Sequence, residues 1–184
     1  MRRSLTLLGT VAVATVAATG VAVGTAAPDL DATGEGSVEG TTGTAVFALG
    51  DRTIRQVRYV DGETLSYTFT VENDGWLPLT VTGLRAPDPQ PRLFEYQRVI
   101  DAAGDETFSI PARGSAEVTV DLLMRGCETL SARAGSFVTD VELELESAGV
   151  RRDTVTVDFP EEVRAGSPRE AGCANATASS RPPG

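Results

Sequence analysis

Histidine and lysine are missing altogether, so every one of the 16 basic residues is arginine. Without histidine there is no Ser-His-Asp or Cys-His machinery, no imidazole ligand for zinc or copper, and no side chain that switches charge near neutrality. Without lysine there is no Schiff-base chemistry and no Ser-Lys dyad. Met1 and Met124 are the only thioethers, too few for a methionine-rich copper site. Acidic residues outnumber basic ones, 26 to 16, and no basic block interrupts them. That balance argues against nucleic acid and against attraction to anionic lipid by charge. Helical patterning is also scarce, because no segment sustains apolar residues at i, i+3, i+4 and i+7.

The features that are present begin at the N-terminus. Arg2 and Arg3 precede an uncharged run, residues 4–27, built mainly from Leu, Val, Ala, Thr and Gly. That order is the order of an export signal, with Gly24 and Ala26 placed for cleavage after Ala26. The run is longer than the usual signal core, so an uncleaved signal-anchor helix is the alternative. Thr6, Thr10, Thr15, Thr19, Gly9 and Gly20 dilute its apolarity, which favours cleavage. Either way the positive-inside rule places the residues after it outside the cell. Loss of Arg2 and Arg3 with the leader takes the net charge from −10 to −12. The rest of the chain is long enough for one domain with a real core.

Cys127 and Cys173 are the only cysteines, an even number in an exported chain, where disulfides persist. Their spacing is unlike a C-x-x-C redox pair, so a structural disulfide is expected. The closed loop would span about 46 residues, worth roughly 4 kcal/mol in the chain-entropy model. It would tether the polar C-terminal tail, residues 166–184, through Cys173. Residues 27–43 are rich in Gly, Thr and acids without apolar periodicity, and read as a flexible acidic linker.

Between these segments, residues 44–165 alternate with period two. Leu65, Tyr67, Phe69 and Val71 alternate with Ser66, Thr68, Thr70 and Glu72. Ala116, Val118, Val120 and Leu122 do the same, as do Val141, Leu143 and Leu145, then Val155, Val157 and Phe159. Asn73-Asp74-Gly75, Gly104 and residues 147–149 supply turns. Pro78 predicts an edge position or bulge, and Pro160 predicts the end of the last strand. Short strands punctuated by Gly and Pro predict an all-β sandwich.

The runs YTFTVENDGWLPLTV (67–81), FSIPARG (108–114) and AEVTV (116–120) resemble immunoglobulin-like domains of exported actinobacterial proteins of unknown function. The resemblance spans residues 44–173. It implies one immunoglobulin-like antiparallel β-sandwich of about seven to nine strands behind an N-terminal hydrophobic signal helix. Its motifs are hydrophobic alternation and turn chemistry, so they transfer no catalytic residue.

Three features invite a function. Asp140, Glu142, Glu144 and Glu146 would line one strand face, where a solvated face compensated by Arg151 and Arg152 is the plain reading. Trp76, the only tryptophan, is a candidate binding surface for a sugar or a protein, or else a cap on the end of the core. The PDPQP segment, residues 87–91, reads as a rigid connector. Carboxylates are plentiful, yet nothing gathers a catalytic pair into a cleft. The expectation is a non-catalytic extracytoplasmic module, structural or protein-binding, secreted or anchored by its leader, with no cofactor or metal. A carbohydrate- or cell-wall-binding domain is the alternative. The partner would be an unknown protein or cell-envelope component, not nucleic acid, with the membrane met only through an uncleaved leader.

Overall fold

A computed structural model describes residues 27–91, 93–125, 136–147 and 149–166. The leader (1–26), both cysteines and the tail beyond Gly166 lie outside the described residues. Among those described there are ten strands: β1 (Leu30–Glu39), β2 (Thr41–Leu49), β3 (Arg52–Tyr59), β4 (Thr64–Asn73), β5 (Leu79–Arg85), β6 (Phe94–Asp101), β7 (Phe108–Ile110), β8 (Gly114–Met124), β9 (Ser136–Ser147) and β10 (Arg151–Ala165). They form a four-stranded sheet in the order β1-β4-β8-β6 and a six-stranded sheet in the order β2-β3-β10-β9-β5-β7. Every pairing is antiparallel except β3 with β10, so the chain is an all-β, sandwich-like mixed fold.

The alternation seen in the sequence is the inner face of that sandwich. Leu65, Tyr67, Phe69 and Val71 of β4 and Val118, Val120 and Leu122 of β8 are buried. They face Val141, Leu143 and Leu145 of β9 and Val157 and Phe159 of β10, which are buried too. Tyr67 and Phe69 of one sheet meet Phe159 of the other at ring-centroid distances of 4.7 and 4.9 Å, within the range of favourable aromatic pairs. On the outer face, Asp121 is satisfied by Ser66 Oγ at 2.6 Å and Arg98 Nε at 2.8 Å, and Thr68 meets Thr119 at 2.7 Å.

Two sequence expectations fail at the margins. The segment expected as a flexible linker, 27–43, instead contains β1 and the start of β2, so the sandwich extends from Leu30. Backbone pairing does this work: Leu30 lies opposite Asn73 and Glu39 opposite Ser66, with a register shift between Thr33 and Ser37. Gly36 sits in that irregular stretch, where a Cβ would lie 2.2 Å from the Tyr67 hydroxyl. Close approach of backbone to the buried ring therefore accounts for a glycine that the sequence alone reads as linker chemistry. The other failure is Pro160, expected to end the last strand. β10 runs on to Ala165, because the proline falls in a shift between Asp158 and Val163 where no bond to β9 is needed. Beyond it, Glu162 to Ala165 pair in parallel with Ile54 to Val57 of β3. Pro78 lies just ahead of β5 rather than within it.

All three tyrosines of the chain carry raised pKa values. Burial is the leading cause at each, joined by the nearby charge of Asp61 for Tyr59, Glu161 for Tyr67 and Asp140 for Tyr96. An unfolded chain gives up these protons near pH 10. Their contribution to stability is therefore complete below about pH 10 and is lost as the pH climbs towards the higher folded values. An alkaline titration followed by phenolate absorbance should find no tyrosine ionising normally before the fold opens. One ordinary tyrosine transition in the folded protein would contradict this packing.

Candidate functional site

One end of the sandwich is organised by a single side chain. Asn73 closes β4 on the buried face, and its Oδ1 accepts the Gly75 N–H at 2.9 Å, bending the chain into an Asx turn. Its Nδ2 donates to the carbonyls of Leu77 at 2.9 Å, Pro111 at 3.1 Å and Ile110 at 3.4 Å. Asn73 thus joins the 74–78 connection to the turn after β7. The Arg113 N–H closes the junction onto the Gly75 carbonyl at 3.2 Å.

Trp76 stands on this connection and is 75% exposed, so it does not cap the core. Sterics keep the indole outside: Leu79, Ile110 and Asn73 already close the inner space there, all buried. Arg113 lies 4.3 Å from the Trp76 ring centroid and 3.9 Å from Asp74 Oδ1. Such an exposed cation–π contact is worth about 0.5–1 kcal/mol, and here it orients the indole. Arg113 adopts φ 54°, a left-handed conformation unusual for a residue with a side chain. Beside Trp76 opens a cleft of about 440 Å³, walled by Pro28, Asp29, Leu77, Arg113 and Ser147. The Asp74 N–H donates to the Asp29 carbonyl at 3.0 Å, which holds the incoming N-terminal segment in place.

Two members of the acidic row of β9, Glu144 and Glu146, are compensated from the neighbouring strands. Arg85 on β5 lies 3.7 Å from Glu144, and Arg152 on β10 lies 3.7 Å from Glu146. Arg151, expected to join Arg152 here, instead pairs with Asp153 at 2.9 Å. Among the described residues no group of three or more acidic, Cys or His side chains is placed to hold a metal ion. Gln90 of the PDPQP segment accepts the Tyr96 N–H at 3.1 Å, tying that connector to β6.

Sequence reasoning missed the second unusual surface, edge strand β2. From Thr42 to Leu49 every residue of β2 is exposed, on both faces. Val46, Phe47 and Leu49 are about half exposed, at 51%, 44% and 58%. The strand carries no charge, although charged residues make up 23% of the chain. β3 pairs with it on one side only, from Thr41 opposite Tyr59 to Leu49 opposite Arg52, and its other edge is unpaired. The facing sheet has two strands fewer, which is why β2 finds no cover. A long uncharged apolar edge is a ready template for another strand, and proteins usually blunt such edges with charge or proline.

No protein-family model matches the chain, and no curated protein matches it. Two solved structures show distant likenesses. The X-ray structure of Northeast Structural Genomics Consortium target SoR45 is 15% identical, with a TM-score of 0.33 over 77% of this chain and 87% of that one. The cupredoxin domain of amoB from Nitrosocaldus yellowstonii is 13% identical, with a TM-score of 0.27 over 56% and 57%. At these scores neither likeness bears on function.

Proposed function

We propose that the chain is a non-catalytic, extracytoplasmic immunoglobulin-like module that holds a protein partner along β2. The fold part of this reading is supported by strand order. The order β1-β4-β8-β6 is compatible with A-B-E-D of an immunoglobulin sandwich and the run β10-β9-β5 with G-F-C, with β2, β3 and β7 as additions. Outward location is supported by Arg2 and Arg3 ahead of an uncharged run.

The observation that carries the binding claim is β2, uncharged and exposed on both faces. Its fitting partner is an extended polypeptide segment with apolar side chains at alternate positions. Such a segment would add a strand through main-chain hydrogen bonds and take its specificity from Val46, Phe47 and Leu49. A second copy of the chain fits less well, because two strongly acidic modules repel. Binding of carbohydrate or cell wall is the second reading, supported by the exposed Trp76 ring beside its cleft.

A photo-crosslinking residue at position 47, in cells that make the protein, should yield a covalent adduct with another polypeptide. Val46→Pro should abolish that adduct, because the strand would lose a backbone donor and its regularity. Adducts restricted to a crosslinker at position 76, and containing glycan, would favour the second reading. No polypeptide adduct at position 47 would contradict the first.

A further inference from the structure

We propose that the Trp76 end of the sandwich rests on the outer face of a lipid bilayer, with Trp76 and Val150 entering the headgroup layer. This extends the extracytoplasmic reading above and applies to the form in which residues 1–26 stay attached as an anchor.

Register gathers the relevant segments at one end. Leu30, the first residue of β1, pairs with Asn73, and Asn73 also pairs with Gly114. Leu79 pairs with both Ile110 and Ser147. The incoming segment 27–29, the Trp76 connection, the Arg113 turn and the turn bearing Val150 therefore share that end. The two most exposed large apolar side chains among the described residues are Val150 at 86% and Trp76 at 75%, and both are here. An exposed indole is suited to the boundary between headgroups and acyl chains, apolar in body with one donor for the wet side.

The apolar run outside the described residues says what covers this end. It closes at Ala27, and Ala27 itself lines the cleft beside Trp76. Three residue steps from Ala27 to Leu30 reach about 10 Å at most, comparable with the depth of the headgroup layer. An anchored leader would leave this end nowhere to stand except at the membrane surface. Charge sets the kind of lipid. Arg113 faces Asp74 at 3.9 Å, Arg151 faces Asp153 at 2.9 Å, and Arg152 faces Glu146 at 3.7 Å, while Asp29 adds a further carboxylate. With its arginines matched by acids, this end has no net pull on anionic lipid, so contact depends on the two apolar side chains and zwitterionic lipid suffices.

Trp76 is the only tryptophan, so its fluorescence reports this contact alone. Full-length protein would be reconstituted into phosphatidylcholine vesicles with lipids brominated near the top of their acyl chains. The expected result is flotation with the vesicles, blue-shifted emission relative to the urea-unfolded chain, loss of most emission to the bromolipid, and no change in that loss on adding salt. Val150→Asp, a turn substitution far from the core, should restore much of the lost emission without preventing flotation. Flotation with unquenched, water-like emission would overturn the docking while leaving the outward module intact. Failure to float would remove the anchor and the docking with it. Quenching that needs anionic lipid and disappears in salt would overturn the mechanism stated here.

Discussion

Arg55→Ala is expected to lower the unfolding free energy by about 3–5 kcal/mol, the cost of leaving one partner of a buried ion pair uncompensated. Arg55 on β3 and Glu161 in the irregular stretch of β10 approach at 2.5 Å, with side chains only 12% and 6% exposed. Arg55 Nη2 also donates to the Gly36 carbonyl at 2.5 Å, and Tyr67 donates its hydroxyl to Glu161 at 3.2 Å. One guanidinium therefore ties β3 to β10 and to β1, and its loss strands a carboxylate that only Tyr67 still serves. Arg55→Met with Glu161→Leu should recover most of the stability, because well-packed apolar replacements of a buried pair are often neutral. Urea midpoints of the wild type, the single variant and the double variant check this. A single variant within about 1 kcal/mol of wild type would mean the pair is as inconsequential as a surface salt bridge.

Asn73→Ala should cost about 3 kcal/mol, since it removes a buried side chain that makes four hydrogen bonds, to the Gly75 N–H and to the carbonyls of Leu77, Ile110 and Pro111. For a chain of this size that corresponds to a fall in Tm of about 6–12 °C. The same change should loosen the Trp76 end, because Asn73 joins the Leu77 carbonyl to those of Ile110 and Pro111, leaving Arg113 as that turn's remaining tie to the 74–78 connection. Loss of the tryptophan signal in near-ultraviolet circular dichroism, with far-ultraviolet strand content unchanged, is the expected signature. A variant that keeps both its Tm and that signal would show that the connection is held some other way.

The central strands were legible in the sequence because each has one greasy face, and burial selects that period directly. β4, β8, β9 and β10 are all paired on both edges in the interior of their sheets. β1 was not legible, because of its ten residues only Leu30 is a fully buried apolar side chain. Its place is set by a backbone ladder to β4, and backbone bonds leave no trace in side-chain alternation. Pro160 misled for a related reason: the rule that proline ends a strand assumes the ladder needs its N–H, and here the proline falls in a register shift of the β9 pairing, between Asp158 and Val163, where that donor is unnecessary. Trp76 was legible as a residue to watch, but its exposure depends on which neighbours close the end of the core, a tertiary fact. β2 was the least visible. The exposure of Val46 and Phe47 depends on the opposite sheet being two strands narrower, which no local pattern in the sequence reports.

Hydrogen exchange across residues 41–49, compared between the isolated protein and the native cell envelope, tests the role of β2 most directly. Amides of β2 that point away from β3 should exchange rapidly in isolation and become protected in the envelope, where an added strand occupies that edge. Equally rapid exchange in both settings would contradict partner binding along β2.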